Sequence, residues 1–270
     1  MTKRVVSGVV AVIVLVTLLY LGGWFIDAAV FGFIQLGLFE MYRALRAKGE
    51  KPLRVAGHIA ATAMFAAWLF GSFEGLMTVL CIGAIGVLVV PVFNQKYHAM
   101  DAMMTVCTLV YPTLPLLFIS VVNRTMPDPV STVVLALACI GAFGTDTFCF
   151  LVGKACGKHK LCPAISPKKT IEGAVGGVVG ATGLMIAAGA VLNATMGRTL
   201  PLWLFAALGL VCAVVAQCGD LTASSIKRMC GVKDFGKLIP GHGGVLDRLD
   251  SLMFTVVAVF AAFFWLVVAK

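Results

Sequence analysis

Between residues 220 and 250 the chain gathers the residue types that phosphate chemistry needs. Asp220, Ser224 and Lys227 are four and three residues apart, so a helix running through them carries a carboxylate, a hydroxyl and an ammonium on one face. A polar stretch follows, with Gly231, Gly236, Gly241, Gly243 and Gly244 set among Lys233, Lys237 and His242. Glycines let backbone N–H groups approach phosphate oxygens closely, and the cations supply charge. Asp247 and Asp250, three apart with Arg248 between them, again share a helical face. Hard oxygen donors of this kind suit Mg²⁺, which takes one or two carboxylates and completes its shell with phosphates and water. A basic loop drawn to anionic headgroups is the plainer reading. Such a loop needs neither the paired acids nor a Gly-His-Gly-Gly run.

A second stretch, 153–170, repeats the theme. It is basic and leads through Ser166-Pro-Lys-Lys-Thr170 into an apolar run that opens with Glu172. Thr170 is placed to cap the helix that follows, and its free N–H groups favour anions. Asp146 closes the preceding apolar run, Asp220 closes a later one, and Asp247 and Asp250 precede the last. Five acids at one depth, with Lys168, Lys169, Lys227 and Arg228 beside them, suit a polyanion held partly through metal and partly by direct cationic contacts. Gly173, Gly176, Gly177 and Gly180 make two G-x-x-x-G spacings, whose expected role is close helix packing. No phosphate-binding loop of the G-x-x-x-x-G-K-[ST] type is present, and no G-x-G-x-x-G follows a strand. A nucleotide must therefore bind in a site peculiar to membrane proteins.

The elements that position these residues are apolar helices. Of 270 residues, 60% are hydrophobic and 12% charged, about half the usual charge of a soluble domain. Too few polar side chains remain to cover a water-facing surface. The expectation is an all-α polytopic membrane protein. Uncharged stretches of spanning length run over 5–26, 55–73, 75–95, 102–123, 129–145, 173–197, 199–219 and 251–269. A ninth, 28–39, is short and bounded by Asp27 and Glu40, with a turn offered by Gly22-Gly23 before it. It counts as a span whose ends carry those acids; a re-entrant or interfacial helix is the alternative.

The chain has 21 Lys and Arg against 12 Asp and Glu, a formal charge of +9. Nine spans with the N-terminus in the cytoplasm put all of those cations except Arg124, Arg198 and Lys270 on the cytoplasmic side. The positive-inside rule thus explains the excess without nucleic acid. The C-terminus then lies on the opposite side. The division is an N-terminal membrane region, 1–125, of five spans, and a C-terminal catalytic region, 126–270, of four, with cytoplasmic loops 151–170 and 221–250. The first apolar run is long for a signal peptide and lacks a cleavage site before Asp27, so it reads as a retained helix. None of the nine cysteines forms C-x-x-C, and Cys156, His159 and Cys162 lack a fourth ligand for zinc.

The run from Ser224 to Asp250 resembles the signature of phosphatidate cytidylyltransferases, the CDP-diacylglycerol synthases, of bacterial type. The constrained positions are Ser224, Lys227, Arg228, Lys233, Asp234, Gly236, Pro240, His242, Gly243, Gly244, Asp247, Arg248 and Asp250. Lys3-Arg4, Glu40, Asp146 and Ser166-Pro-Lys-Lys-Thr-Ile-Glu-Gly173 look like family features in their usual order. The resemblance implies transfer of CMP from CTP to phosphatidic acid with Mg²⁺, alone or with a second cation, at the cytoplasmic face of a bacterial inner membrane. It implies Asp220 and Asp247 as a metal-bridging pair, with Asp250 next. Lys227, Arg228, Lys233, His242 and Arg248 would neutralise CTP and the leaving pyrophosphate. Lys168, Lys169 and Glu172 would serve the phosphatidate side or orient the site, and Asp146, Ser224, Gly243 and Gly244 would complete it. A homodimer is the default assembly. The rivals are a related transferase acting on another lipid phosphate and a cation-coupled transporter. Against transport, the charges cluster at one interface rather than at the midplane.

Overall fold

The computed structural model describes residues 2–197, 199–238 and 243–264, and it is helical except for one short hairpin. Among the described residues six helices are long and apolar enough to cross a bilayer: Gly23–Ala47, Phe73–Phe93, Ala99–Thr125, Val130–Cys156, Ile171–Met196 and Leu202–Met229. Many of their large side chains face outward, among them Ile82, Val175 and Val179, each more than half exposed. An apolar outer belt of this kind has no stable contact with water and suits lipid. The chain is an all-α polytopic membrane protein.

It divides into two compact units, Met1–Val121 with Lys227–Asp247, and Val122–Ile226 with Arg248–Lys270. The unit borders fall inside helices, so α6, α9 and α10 below each contribute residues to both.

The first unit opens with α1 (Thr2–Leu21) and α2 (Gly23–Ala47). They are parted at Gly22 and Gly23, whose φ of 59° and 48° is the left-handed region that glycine enters freely. Next come α3 (Arg54–Phe70) and α4 (Phe73–Phe93), the latter capped by Ser72, whose hydroxyl accepts from the Gly75 amide. Helix α5 (Ala99–Thr108) starts with a reciprocal His98–Asp101 capping box and passes through a π turn at Leu109–Thr113, which holds Pro112, into α6 (Leu114–Thr125). The unit's centre buries Ile34, Leu38, Met64, Leu76, Leu109, Leu116 and Leu117 completely.

Helix α2 corrects the expectation of a short span bounded by acids. It runs for 25 residues, and Asp27 and Glu40 lie inside it, 2% and 3% exposed. A charge ends a hydropathy window but not a helix, provided the protein supplies donors. Asp27 accepts the Ser120 hydroxyl at 2.5 Å, and that oxygen in turn accepts the Trp68 indole N–H at 3.0 Å.

The second unit is built on α7 (Val130–Cys156), α8 (Ile171–Met196), the part of α9 (Leu202–Met229) before Lys227, and the part of α10 (Leu246–Phe263) after Asp247. Between α7 and α8 lies an antiparallel hairpin of β1 (Lys160–Cys162) and β2 (Ser166–Thr170). The glycines of α8 do the packing expected of them. A Cβ on Gly173 or Gly177 would run into Cys149, one on Gly176 into Val152 and one on Gly180 into Phe148, all of α7. Against α9, Gly141 of α7 leaves room for Cys212, and Gly209 of α9 meets Thr182 and Met185 of α8.

Helix ends also move relative to expectation. The segment expected as loop 151–170 begins with the last turn of α7, and 221–250 contains the end of α9 and the start of α10. An apolar run ends at its first charge, whereas a backbone helix ends only where its own hydrogen bonds do. Asp146 and Asp220 therefore stand inside α7 and α9 rather than at their ends.

Candidate active site

The first unit holds a polar loop tied down by two carboxylates. Asp247, in the first turn of α10, is 7% exposed. Its Oδ1 accepts the Lys227 ammonium at 2.8 Å. Its Oδ2 accepts the amides of Phe235 at 2.9 Å, Gly236 at 3.5 Å and Gly244 at 2.9 Å. Lys227 is itself buried, and its ammonium stands 5.4 Å from the Phe235 ring centroid. Glu40 takes the next two amides, Val245 on Oε1 at 3.0 Å and Leu246 on Oε2 at 2.9 Å. The first N–H groups of α10 thus find charged acceptors, as an N-terminus prefers.

Glycine is required at two points of this clasp. A Cβ at Gly236 or Gly244 would fall onto the Glu40 carboxylate. Arg43, one turn after Glu40 on α2, donates to the Phe235 carbonyl at 2.7 Å and fixes the loop from the other side. Beyond the clasp the cations face outward: Arg228, Lys233 and Lys237 are exposed, and Arg228 donates to the Val232 carbonyl at 3.2 Å. Gly243 has a φ of 87°, and the Gly244 amide points inward to Asp247. His242 lies outside the described residues.

The second unit holds a more open cluster. Lys169 and Asp220 form an ion pair at 2.6 Å with about a quarter of each side chain exposed. The Ser224 hydroxyl donates to the other Asp220 oxygen at 3.3 Å. Asp146 accepts the Ser251 hydroxyl at 3.2 Å and lies within electrostatic reach of Asp220, Lys169 and Arg248. Asp250 is buried, and its Oδ1 accepts the Ser251 amide at 2.8 Å. Gly219 has no side chain where the Asp250 carbonyl comes close.

Local folding explains which cations arrive. Lys168 and Lys169 are neighbours on β2, and successive strand residues point to opposite faces, so Lys169 reaches Asp220 while Lys168 stays exposed. Thr170 caps α8 by accepting the Gly173 amide at 3.1 Å, as its position predicts. Glu172, in the same first turn, is occupied elsewhere. It accepts the His159 imidazole at 2.6 Å and the Lys158 and His159 amides, tying the hairpin to α8.

The model of the cytidylyltransferase family matches residues 2–267. The chain belongs to that family. Similar proteins include the phosphatidate cytidylyltransferase of Synechocystis sp., 32% identical over 293 residues, covering 96% of this chain and 95% of the relative. The phosphatidate cytidylyltransferases of Staphylococcus haemolyticus and Staphylococcus aureus (strain COL) are 29% and 30% identical, each over 95% of this chain and 96% of the relative.

In this cytidylyltransferase, Asp146, Lys169, Asp220 and Ser224 come together in one unit, and Lys227, Asp247 and Gly244 in the other. Sequence reasoning passed over Arg43, Phe235 and Ser251, and it treated Glu40 as a helix boundary. An acid inside an apolar run, with an arginine one turn on, was the available signal for Glu40 and Arg43.

Among the described residues no three His, Cys, Asp or Glu side chains cluster as a protein-only metal site, and His159 is paired with Glu172 rather than with Cys156 and Cys162. The residues present nevertheless fit Mg²⁺. It needs few carboxylates when phosphates complete its shell, and Asp220 with Asp146 nearby offers hard, partly exposed oxygens.

Proposed function

We propose that this protein transfers CMP from CTP to phosphatidic acid, forming CDP-diacylglycerol and pyrophosphate for phospholipid synthesis. A phosphate oxygen of the lipid attacks the α-phosphorus of CTP in line, the bond to the β-phosphate bridging oxygen breaks, and pyrophosphate leaves with that electron pair. The attacking oxygen is already anionic, so no general base is required. What the site must supply is relief from the repulsion between two polyanions.

Fixed cations do part of this. Lys169 and Lys168 meet the lipid phosphate, with Glu172 holding the hairpin that carries them. Lys227, Arg228, Lys233, His242 and Arg248 neutralise CTP and the departing pyrophosphate, with Gly243 and the rest of the glycine loop shaping the place where it sits. Asp220, with Asp146 nearby, would hold Mg²⁺. Asp247, the other acid of the expected metal-bridging pair, has both oxygens engaged by Lys227 and the loop amides and is proposed to hold the glycine loop instead. Ser224 and Asp250 orient the groups around Asp220. When bound, the metal supplies Lewis-acid charge neutralisation that lysine and arginine alone provide less compactly.

The observation that carries this reading is the Lys169–Asp220 pair beside Asp146. A cation from β2 thus meets two carboxylates inside the last turns of long apolar helices, which suits a site that takes one substrate from lipid and the other from water. The membrane arrangement proposed with it has nine spans, the N-terminus in the cytoplasm, the site on the cytoplasmic face of a bacterial inner membrane, and a homodimer. Cation asymmetry along the chain supports the orientation.

The test is release of pyrophosphate from CTP by purified protein, with phosphatidic acid and Mg²⁺ omitted in turn. The reading requires both for release. Equal release without phosphatidic acid would remove the lipid as acceptor.

A further inference from the structure

We infer that an apolar groove between α8 and α9 seats an acyl chain of the phosphatidate, an inference that rests on the transfer reaction proposed above. The groove has a volume of about 350 Å³ and is lined by Ala174, Val175 and Val178 of α8 and by Val214, Cys218 and Leu221 of α9. The one polar side chain on its wall, Gln217, turns its amide N–H groups to the carbonyls of Ala174 and Ala213. The lining presented to an occupant is therefore apolar.

Its position points to the substrate rather than to lipid in general. Leu221 directly follows Asp220, and Asp220 holds Lys169, the last residue but one before α8. The upper end of the groove, at Leu221 and Ala174, thus lies within about a turn of helix of that ion pair along α9 and α8. Helices α8 and α9 run antiparallel, since Ala174 faces Gln217 while Gly189 faces Phe205 deeper in the unit. From Leu221 to Val214 the wall descends about 10 Å at the helical rise. That is roughly two-thirds of the hydrocarbon of one leaflet. The glycines at 173, 176, 177 and 180 bring α8 against α7, so Val175 and Val178 turn away from that seam toward the groove. A phosphate monoester with a chain in this groove satisfies Lys169 and the apolar wall together; a zwitterionic lipid has a net-neutral headgroup and satisfies only the wall.

The test uses the full-length protein in nanodiscs with a long-chain phosphatidate bearing a photoreactive diazirine midway along one chain. Cross-linked residues are mapped by mass spectrometry, with unlabelled phosphatidate or phosphatidylcholine as competitor. The inference expects labelling concentrated on 174–178 and 214–221, competed at least fivefold better by phosphatidate. Labelling elsewhere, or equal competition by both lipids, overturns it. A second measurement compares dihexanoyl and dioleoyl phosphatidate as acceptors for the wild type and Val178→Trp. The short-to-long turnover ratio should rise at least fivefold in the variant, and an unchanged ratio contradicts the groove. Loss of CMP transfer with groove labelling intact would strike the transfer reaction alone, whereas transfer with labelling elsewhere would strike the groove alone.

Discussion

Lys227 and Asp247, twenty residues apart on two different helices, meet at 2.8 Å as a buried ion pair, and the second oxygen of the same carboxylate holds three backbone amides. One aspartate therefore joins the end of α9, the glycine loop and the start of α10. Its role in any chemistry depends on this first, because these hydrogen bonds hold the loop that carries Lys233 and Lys237.

Asp247→Ala should abolish turnover and loosen the loop. Removing one member of a buried pair typically costs about 3–5 kcal/mol, because the other charge stays behind unpaired. Hydrogen exchange over 230–246 in detergent should rise sharply while the spanning helices remain protected. Wild-type exchange in that segment would contradict the clasp.

Asp220→Asn should behave differently. Its ion pair with Lys169 is partly exposed, and such pairs contribute about 1 kcal/mol or less to stability. Turnover is expected to fall at least 100-fold with a thermal midpoint within a few degrees of wild type. A variant with near-normal rate removes Asp220 from the proposed metal ligands.

Glu40→Ala leaves the Val245 and Leu246 amides without their acceptors in a buried place. An unsatisfied buried donor costs about 1–3 kcal/mol. Stability should drop by that order, and activity should fall although Glu40 is assigned no contact with either substrate. The useful comparison is Glu40→Gln, which keeps an acceptor oxygen and should recover part of both. No difference between the two variants would argue against the hydrogen-bonding role.

Gly177→Val tests the seam between α7 and α8, where a Cβ would strike the Cys149 sulfur and crowd the Thr145 carbonyl. Overpacking of this kind costs about 1–3 kcal/mol. The variant should unfold at a lower temperature, whereas Gly183→Ala, with open space around it, should not. Equal midpoints for the two would mean that the glycine seam is not close-packed.

Much of this was legible in the sequence because it rests on local period. The four-and-three spacing of Asp220, Ser224 and Lys227 implied a helix continuing past the apolar run, and α9 does continue to Met229. Thr170 was readable as a cap, and the α8 glycines as a packing face. What local period could not supply was partnership over distance. Glu40 meets amides more than 200 residues away, and Asp27 meets a serine 93 residues away. Before such partners are known, an acid in an apolar run looks like the end of a span. Glu172 misled in the opposite way: it stands in a basic motif, yet its partners are the His159 ring and the Lys158 and His159 amides just ahead of the hairpin.

The most direct test of the central claim follows where each phosphorus of CTP goes. Protein reconstituted with phosphatidic acid and Mg²⁺ is given CTP labelled at the α-phosphorus in one sample and at the γ-phosphorus in another. The account predicts α-label in the lipid phase as CDP-diacylglycerol and γ-label in water as pyrophosphate, in equal amounts and with both formed at least 100-fold more slowly by Asp220→Asn. γ-Label in the lipid, or α-label remaining wholly in water while CTP is consumed, would contradict it.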